Sequence, residues 1–176
     1  MARIPSETQK PIYILLTKNG DWRSKLISWL SRSYYSHSSI GLEQKTIFYS
    51  FTTKRGFCLE KPFIKNHYIP CQLYRLDVTE SVYNDIAFRI QTFSNGEYKF
   101  SYLGALFCGL RVPLRLIPAR NKNSYFCSQF IAELLCSSGA AKLQKPPQHF
   151  LPKDFLEDPQ FKLCYHGTIR DLCGKL

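Results

Sequence analysis

The sequence predicts an α+β domain, and three observations carry that expectation. Between positions 123 and 135, Phe130, Ile131, Leu134 and Leu135 recur at helical spacing. Upstream, short apolar or alternating runs bounded by polar turns recur at 11–17, 37–42, 46–52 and 70–78, the signature of strands. Hydrophobic residues make up 44% of the 176 positions and aromatic residues 15%, which is enough for a core and argues against disorder. The length fits one domain over 1–176, with the polar residues 1–10 expected to fray.

Taken in order, 11–17 reads as a buried strand. Asn19-Gly20-Asp21 is a turn, with Asp21 a candidate cap for a helix over 22–31 whose apolar side includes Trp22, Leu26, Ile27, Trp29 and Leu30. A polar, tyrosine-rich entry over 31–39 contains His37. Strand 37–42, the turn Glu43-Gln44-Lys45 and strand 46–52 make a hairpin. The following run closes on Glu60-Lys61-Pro62, and no strand is assigned to Gly56-Phe57-Cys58-Leu59. A further strand over 70–78 carries Cys71, Leu73, Tyr74 and Leu76. Thr79-Glu80-Ser81 then opens a helix through Phe93, ended by Asn95-Gly96.

From 98 to 132 there is no acidic residue. The apolar run 102–110 reads as a buried helix followed by a solvated basic loop, marked by Pro113 and Pro118; the other reading is a segment that meets an anionic substrate or a membrane surface. The helix after it takes Ser124 or Asn123 as its cap and Gly139 as a left-handed stop, which puts Cys127 in its first turn. A proline-bearing connector over 142–152, a helical turn at 154–156 and a strand at 161–166 complete the chain.

Lys and Arg outnumber Asp and Glu by 24 to 13, for a net charge of +11, which points to an anionic partner: nucleic acid, anionic lipid or an acidic polymer. A Gly-rich phosphate loop, a helix-turn-helix pattern and an RNA-binding aromatic motif are all absent from the sequence, so charge alone speaks for nucleic acid. The cysteines, seven and therefore odd in number, include no C-x-x-C pair, which favours a reducing compartment. His67 with Cys71, and Cys164 with His166, match no paired zinc spacing; no metal and no other cofactor is expected. The run 12–16 is too short for a signal sequence, 102–110 is too short to span a bilayer, and Cys173-Gly174-Lys175-Leu176 lacks the aliphatic middle of a prenylation box. A cytoplasmic protein, with peripheral membrane contact open to it, is the expectation.

Two readings of Cys127 compete. It shares the apolar stripe of Phe130 and Ile131, as a packed core cysteine would. It also meets the unpaired amides and dipole of a helix start, which stabilise a thiolate. A cysteine nucleophile needs a base, and of His37, His67, His149 and His166 the first is best placed, at the start of a strand among Ser36, Ser38, Ser39, Tyr34 and Tyr35. His67 and His149 flank prolines in loops and read as surface residues, while His166 lies on the last strand and could be packed.

A helix opening Tyr-Phe-Cys-Ser-Gln-Phe-Ile-Ala-Glu-Leu-Leu, with Ser-His-Ser-Ser-Ile-Gly-Leu and Phe-Tyr-Ser-Phe upstream, resembles the circularly permuted branch of the NlpC/P60 papain-like superfamily. The YiiX/YebB-like group is nearest in pattern, and lecithin:retinol acyltransferase-like enzymes are more distant. In this branch the histidine precedes the cysteine, as His37 precedes Cys127 here. The resemblance implies an antiparallel sheet packed against a helix that carries the nucleophile at its N-terminus. It implies Cys127 as nucleophile, His37 as general base, and the backbone N–H groups of Cys127 and Ser128 as part of an oxyanion hole. Many relatives have a carboxylate at the third position; the aligned residue here is Ser50, so either Ser50 or a main-chain carbonyl orients His37, or the pair acts as a dyad. Tyr49 and Tyr125 are the candidate substrate contacts. The implied reaction is acyl transfer through a thioester, on an amide or ester in a peptide, a cell-wall fragment or a lipid. An amidase or peptidase leads. A lipid acyltransferase or phospholipase on the same pair is an alternative, weakened because Cys127 is followed by Ser128-Gln129 rather than the acyltransferase Asn-Cys-Glu-His pattern. A non-catalytic basic module for an anionic surface or nucleic acid is the third reading.

Overall fold

An unbroken apolar run is what a strand covered on both faces requires, and Ile12-Tyr13-Ile14-Leu15-Leu16 supplies one, all five buried. The computed structural model describes residues 8–20, 28–29, 32–43, 46–62, 68–113 and 123–174. In it this run is the middle of strand β1 (Gln9–Thr17), at the heart of a six-stranded sheet. The other strands are β2 (His37–Gly41), β3 (Phe48–Thr52), β4 (Gly56–Glu60), β5 (Pro70–Thr79) and β8 (Lys162–Thr168), in the order β4-β3-β2-β1-β5-β8. Every neighbouring pair in this sheet is antiparallel. The longest pairing runs from Gln9↔Thr79 to Thr17↔Cys71, so Ile12, Ile14 and Leu16 face one layer and Tyr13 and Leu15 the other. A two-stranded parallel pair, β6 (Lys99–Phe100) with β7 (Ser124–Tyr125), stands apart.

The helices are α1 (Glu80–Ser94), α2 (Tyr102–Gly109), α3 (Cys127–Ser137), α4 (Asp154–Glu157) and α5 (Ile169–Cys173). Thr79 caps α1, its hydroxyl accepting from the Val82 N–H at 3.4 Å, and Ile86 and Ile90 are the residues it buries. Ile86 and Ile90 join Ile131, Leu134 and Leu135 of α3 over the Ile12–Leu16 side of the sheet. On the opposite face, Ile169 and Leu172 of α5 close over Tyr13, Leu15, Phe48, Cys71 and Leu73. The chain is therefore α+β, with a mostly antiparallel sheet and helices on both faces.

Several sequence expectations are corrected. The stretch 56–60 is a strand, and 124–125 pairs as β7 rather than forming a polar cap. Helix α2 is not a buried helix: only Cys108 and Gly109 are buried, whereas Leu103, Leu110, Tyr102 and Leu106 stand 63%, 55%, 54% and 36% exposed. The helix expected over 22–31 lies outside the described residues apart from Ser28 and Trp29, which are helical. Of the expected basic loop, 114–122 lies outside them too. No helix among the described residues is long and apolar enough to cross a membrane.

Strand β4 depends on Gly56. Its φ of +67° lies in the left-handed region, and a Cβ there would collide with the Tyr98 carbonyl. Gly56→Ala is expected to cost at least about 1–2 kcal/mol in denaturant unfolding, from the left-handed backbone alone. An unchanged midpoint would show that the turn has another conformation open to it.

Candidate active site

Helix α3 is anchored from several directions. Phe130, one turn in from Cys127, is fully buried among Phe51, Phe57 and Phe93, with ring centroids 5.2, 5.5 and 5.0 Å away. Such contacts are each worth about 0.5–1.5 kcal/mol beyond area burial. The Ser128 hydroxyl donates to the Phe150 carbonyl at 2.6 Å. The connector is held in turn by Asp154, whose carboxylate accepts from the Leu151 N–H at 2.7 Å and from Lys145 Nζ at 2.6 Å. The N-cap position is Phe126, extended, and no side chain caps the helix, so neither Ser124 nor Asn123 has the expected role. The first intrahelical bond is donated by Phe130 to the Phe126 carbonyl, at 3.0 Å. The amides of Cys127 and Ser128 thus lie before the helical ladder begins, the place where a helix offers N–H groups to an anion. At the far end Gly139, with φ +73°, fills the left-handed stop.

His37 is the first residue of β2. It pairs with Thr17 of β1, while on the other side β2 meets β3 through Ile40↔Tyr49 and Gly41↔Phe48. Nearer His37, the hydroxyl of Ser50 bridges the two strands by donating to the Ser38 carbonyl at 2.6 Å. That contact corrects the expected role of Ser50, which braces the backbone beside His37 and not the imidazole. The imidazole reaches across β3 to β4, where both carboxylate oxygens of Glu60 lie 3.0 Å from Nε2. With Nε2–H given to Glu60, Nδ1 is the ring nitrogen left for the Cys127 sulfur, which lies close enough for each group to shift the other's titration. Cys127, His37 and Glu60 thus stand in a row.

Electrostatics follow from that row. Burial works against an imidazolium at His37, but the charge of Glu60, the neighbouring Cys127 sulfur and the hydrogen bond that Nε2–H donates to Glu60 outweigh it. The imidazole titrates well above its ordinary value. Burial also pushes the Cys127 thiol up. The neighbouring His37, by proximity and charge, and the nearby Ser38 backbone and hydroxyl pull it below its ordinary value. The buried Ser38 Oγ has no hydrogen-bond partner among the described residues. Burial, joined by the negative charge of Asp171 at Cys71 and of Asp154 at Cys108, pushes both thiols up to about 12, and burial also raises Cys58. The arrangement favours a thiolate–imidazolium pair at Cys127 and His37.

Cys127, His37 and Glu60 open into a cavity of about 660 Å³, within the range of small-molecule sites. Phe51, Leu59 and Phe100 supply apolar wall, and Lys54, Arg55 and Lys61 supply positive charge. Neither Tyr49 nor Tyr125 lines it, contrary to expectation. Tyr49 stacks on Phe57 at 6.3 Å, and the buried Tyr125 packs against Phe51 and Phe93 and donates to Glu133 at 3.3 Å. His166 is exposed, His149 is half-buried with Nε2 shielded from solvent, and His67 lies outside the described residues. No group of three or more His, Cys, Asp or Glu able to hold a metal occurs among the described residues.

Glu60 is the residue that sequence reasoning missed. It had a signal: Cys58 and Glu60 alternate after Gly56, as side chains on one face of a strand do. Compared with known proteins, the chain matches no family model and no curated sequence.

Proposed function

We propose that the chain is a cysteine-dependent acyl-transfer hydrolase of the amidase or peptidase type, on a permuted papain-like fold. The observation that carries this reading is the row in which the buried Cys127 sulfur neighbours the His37 ring and both oxygens of Glu60 lie 3.0 Å from that ring's Nε2. It has the parts of a nucleophile–base–orienter system, with a carboxylate in the third place. The His-before-Cys order and the Tyr-Phe-Cys-Ser-Gln helix support it further.

In this reading the Cys127 thiolate attacks the substrate carbonyl and forms a C–S bond. The resulting oxyanion is met by the N–H groups of Cys127 and Ser128, donors typically worth about 3 kcal/mol each. The His37 imidazolium gives its proton to the departing amine or alcohol as the C–N or C–O bond breaks, leaving a thioester. Water then attacks the thioester while His37 takes its proton, and the carboxylic acid leaves as the thiolate reforms. Glu60 holds the ring in one tautomer throughout and stabilises its positive form.

The test is to mix the chain with p-nitrophenyl acetate, quench in acid and weigh the protein. One acetyl group on the Cys127 peptide, absent from Cys127→Ala, is expected. An unmodified chain, or acetyl spread over several cysteines, would sink the proposal. Repeating the trap with amide and lipid-ester substrates separates peptidase-type chemistry from lipid acyl transfer by the mass of the adduct.

A further inference from the structure

Helix α2 presents large apolar side chains to solvent beside the cavity. Tyr102, Leu103, Leu106 and Leu110, the last just beyond its end, fall on one stripe, since i, i+4 and i, i+7 positions share a helical face. The opposite side is the one that packs: Cys108 sits against Phe126 and Leu151, directly before the cysteine of α3. Two contacts tie the stripe to the cavity. The Tyr102 hydroxyl donates to the Thr53 carbonyl at 3.0 Å, in the turn that carries Lys54 and Arg55. The Tyr102 ring meets Phe100, a cavity wall residue, edge-on at 5.1 Å.

The rim of this stripe is basic. Lys54 and Arg55 lie in the bonded turn, Lys99 shortly before α2 and Arg111 just after it, and none of the four is ion-paired among the described residues. We infer that α2 and the β3–β4 turn form a docking surface for an anionic lipid bilayer, which brings the cavity mouth to the headgroups. Leucines flanked by long cationic side chains and a tyrosine are what an interfacial helix needs: apolar side chains enter the acyl boundary while Lys and Arg reach the phosphates. A second copy of the chain fits less well, because it would bring an identical cationic rim against this one, on molecules of net charge +11. The surface stands independently of the chemistry proposed for Cys127.

The experiment is co-sedimentation with sucrose-loaded vesicles, of phosphatidylcholine alone or of an equimolar mixture with phosphatidylglycerol. The chain is expected to pellet with the mixed vesicles, weakly with neutral ones, and less as salt is raised. Leu103→Glu/Leu106→Glu should lower the partition coefficient by more than about tenfold, from the apolar transfer lost. An unchanged rate of Cys127 alkylation certifies that this variant is folded, and the milder Leu103→Gln gives a second reading if it is not. Absence of binding, equal binding to neutral vesicles, or undiminished binding by a folded variant would overturn the inference. So would a dimer in sedimentation velocity that the double variant makes monomeric, with no vesicle binding.

Discussion

Iodoacetamide at neutral pH is expected to alkylate Cys127 ahead of the six other cysteines, and His37→Ala to abolish that preference. The sign follows from the site. A thiol whose titration is pulled below its ordinary value is ionised at a pH where Cys58, Cys71 and Cys108, all raised, remain protonated. The rate should therefore rise with pH through the lowered titration of Cys127. Because His37 is raised well above its ordinary value, the ion pair persists until pH climbs past that titration, where the imidazolium loses its proton. Turnover should follow a bell with those two limbs. Removing the imidazole takes away the principal forces that lower the sulfur's titration and leaves burial, which raises it. Peptide mapping of the labelled chain across pH reads the result. Even labelling over several cysteines, or a profile unchanged by His37→Ala, would show that Cys127 is a packed thiol.

The second large effect belongs to Glu60. Glu60→Gln keeps an oxygen for Nε2–H but removes the charge that raises His37, and loss of the orienting carboxylate in serine-protease triads costs on the order of 10⁴-fold in kcat. Acylation by p-nitrophenyl acetate is expected to slow to that degree, with the alkylation profile of Cys127 shifted toward higher pH. Ser50→Ala is the matched control. It deletes a buried bond to the Ser38 carbonyl, a stability cost of about 1–3 kcal/mol. It leaves the carboxylate on the imidazole, so the pH profile of the folded protein stays in place. If Ser50→Ala moved the profile and Glu60→Gln did not, the serine would be the orienter after all.

The difference between those two residues shows what the sequence could and could not convey. Strands β1, β2, β3 and β5 and helix α1 were legible because burial on one or both faces leaves a periodic or continuous apolar record. The positions of Cys127 and His37 were legible because a thiol at a helix start and an imidazole in a serine-rich strand entry are local patterns. Glu60 was hidden because β4 is short and half-exposed, lies at the edge of the sheet, and runs straight into Lys61-Pro62, a turn signal. Ser50 looked like the partner because a polar group in a buried strand must bond something, and pattern alone does not say whether that is a ring or a carbonyl. Helix α2 was misread for a related reason. Its composition is apolar, yet its docking uses mainly the Cys108 side. Tyr125, expected at the substrate, is spent in the aromatic cluster under α3.

Strand β4 ends the sheet, bonded through β3 alone in the strand order, and it carries the carboxylate that steers the imidazole. Outer strands open at a smaller free-energy cost than the interior, so amide exchange is expected to be faster in β4 than in β1 and β5. Under the proposed chemistry, mild denaturant or warming is expected to slow alkylation of Cys127 before the hydrophobic interior melts.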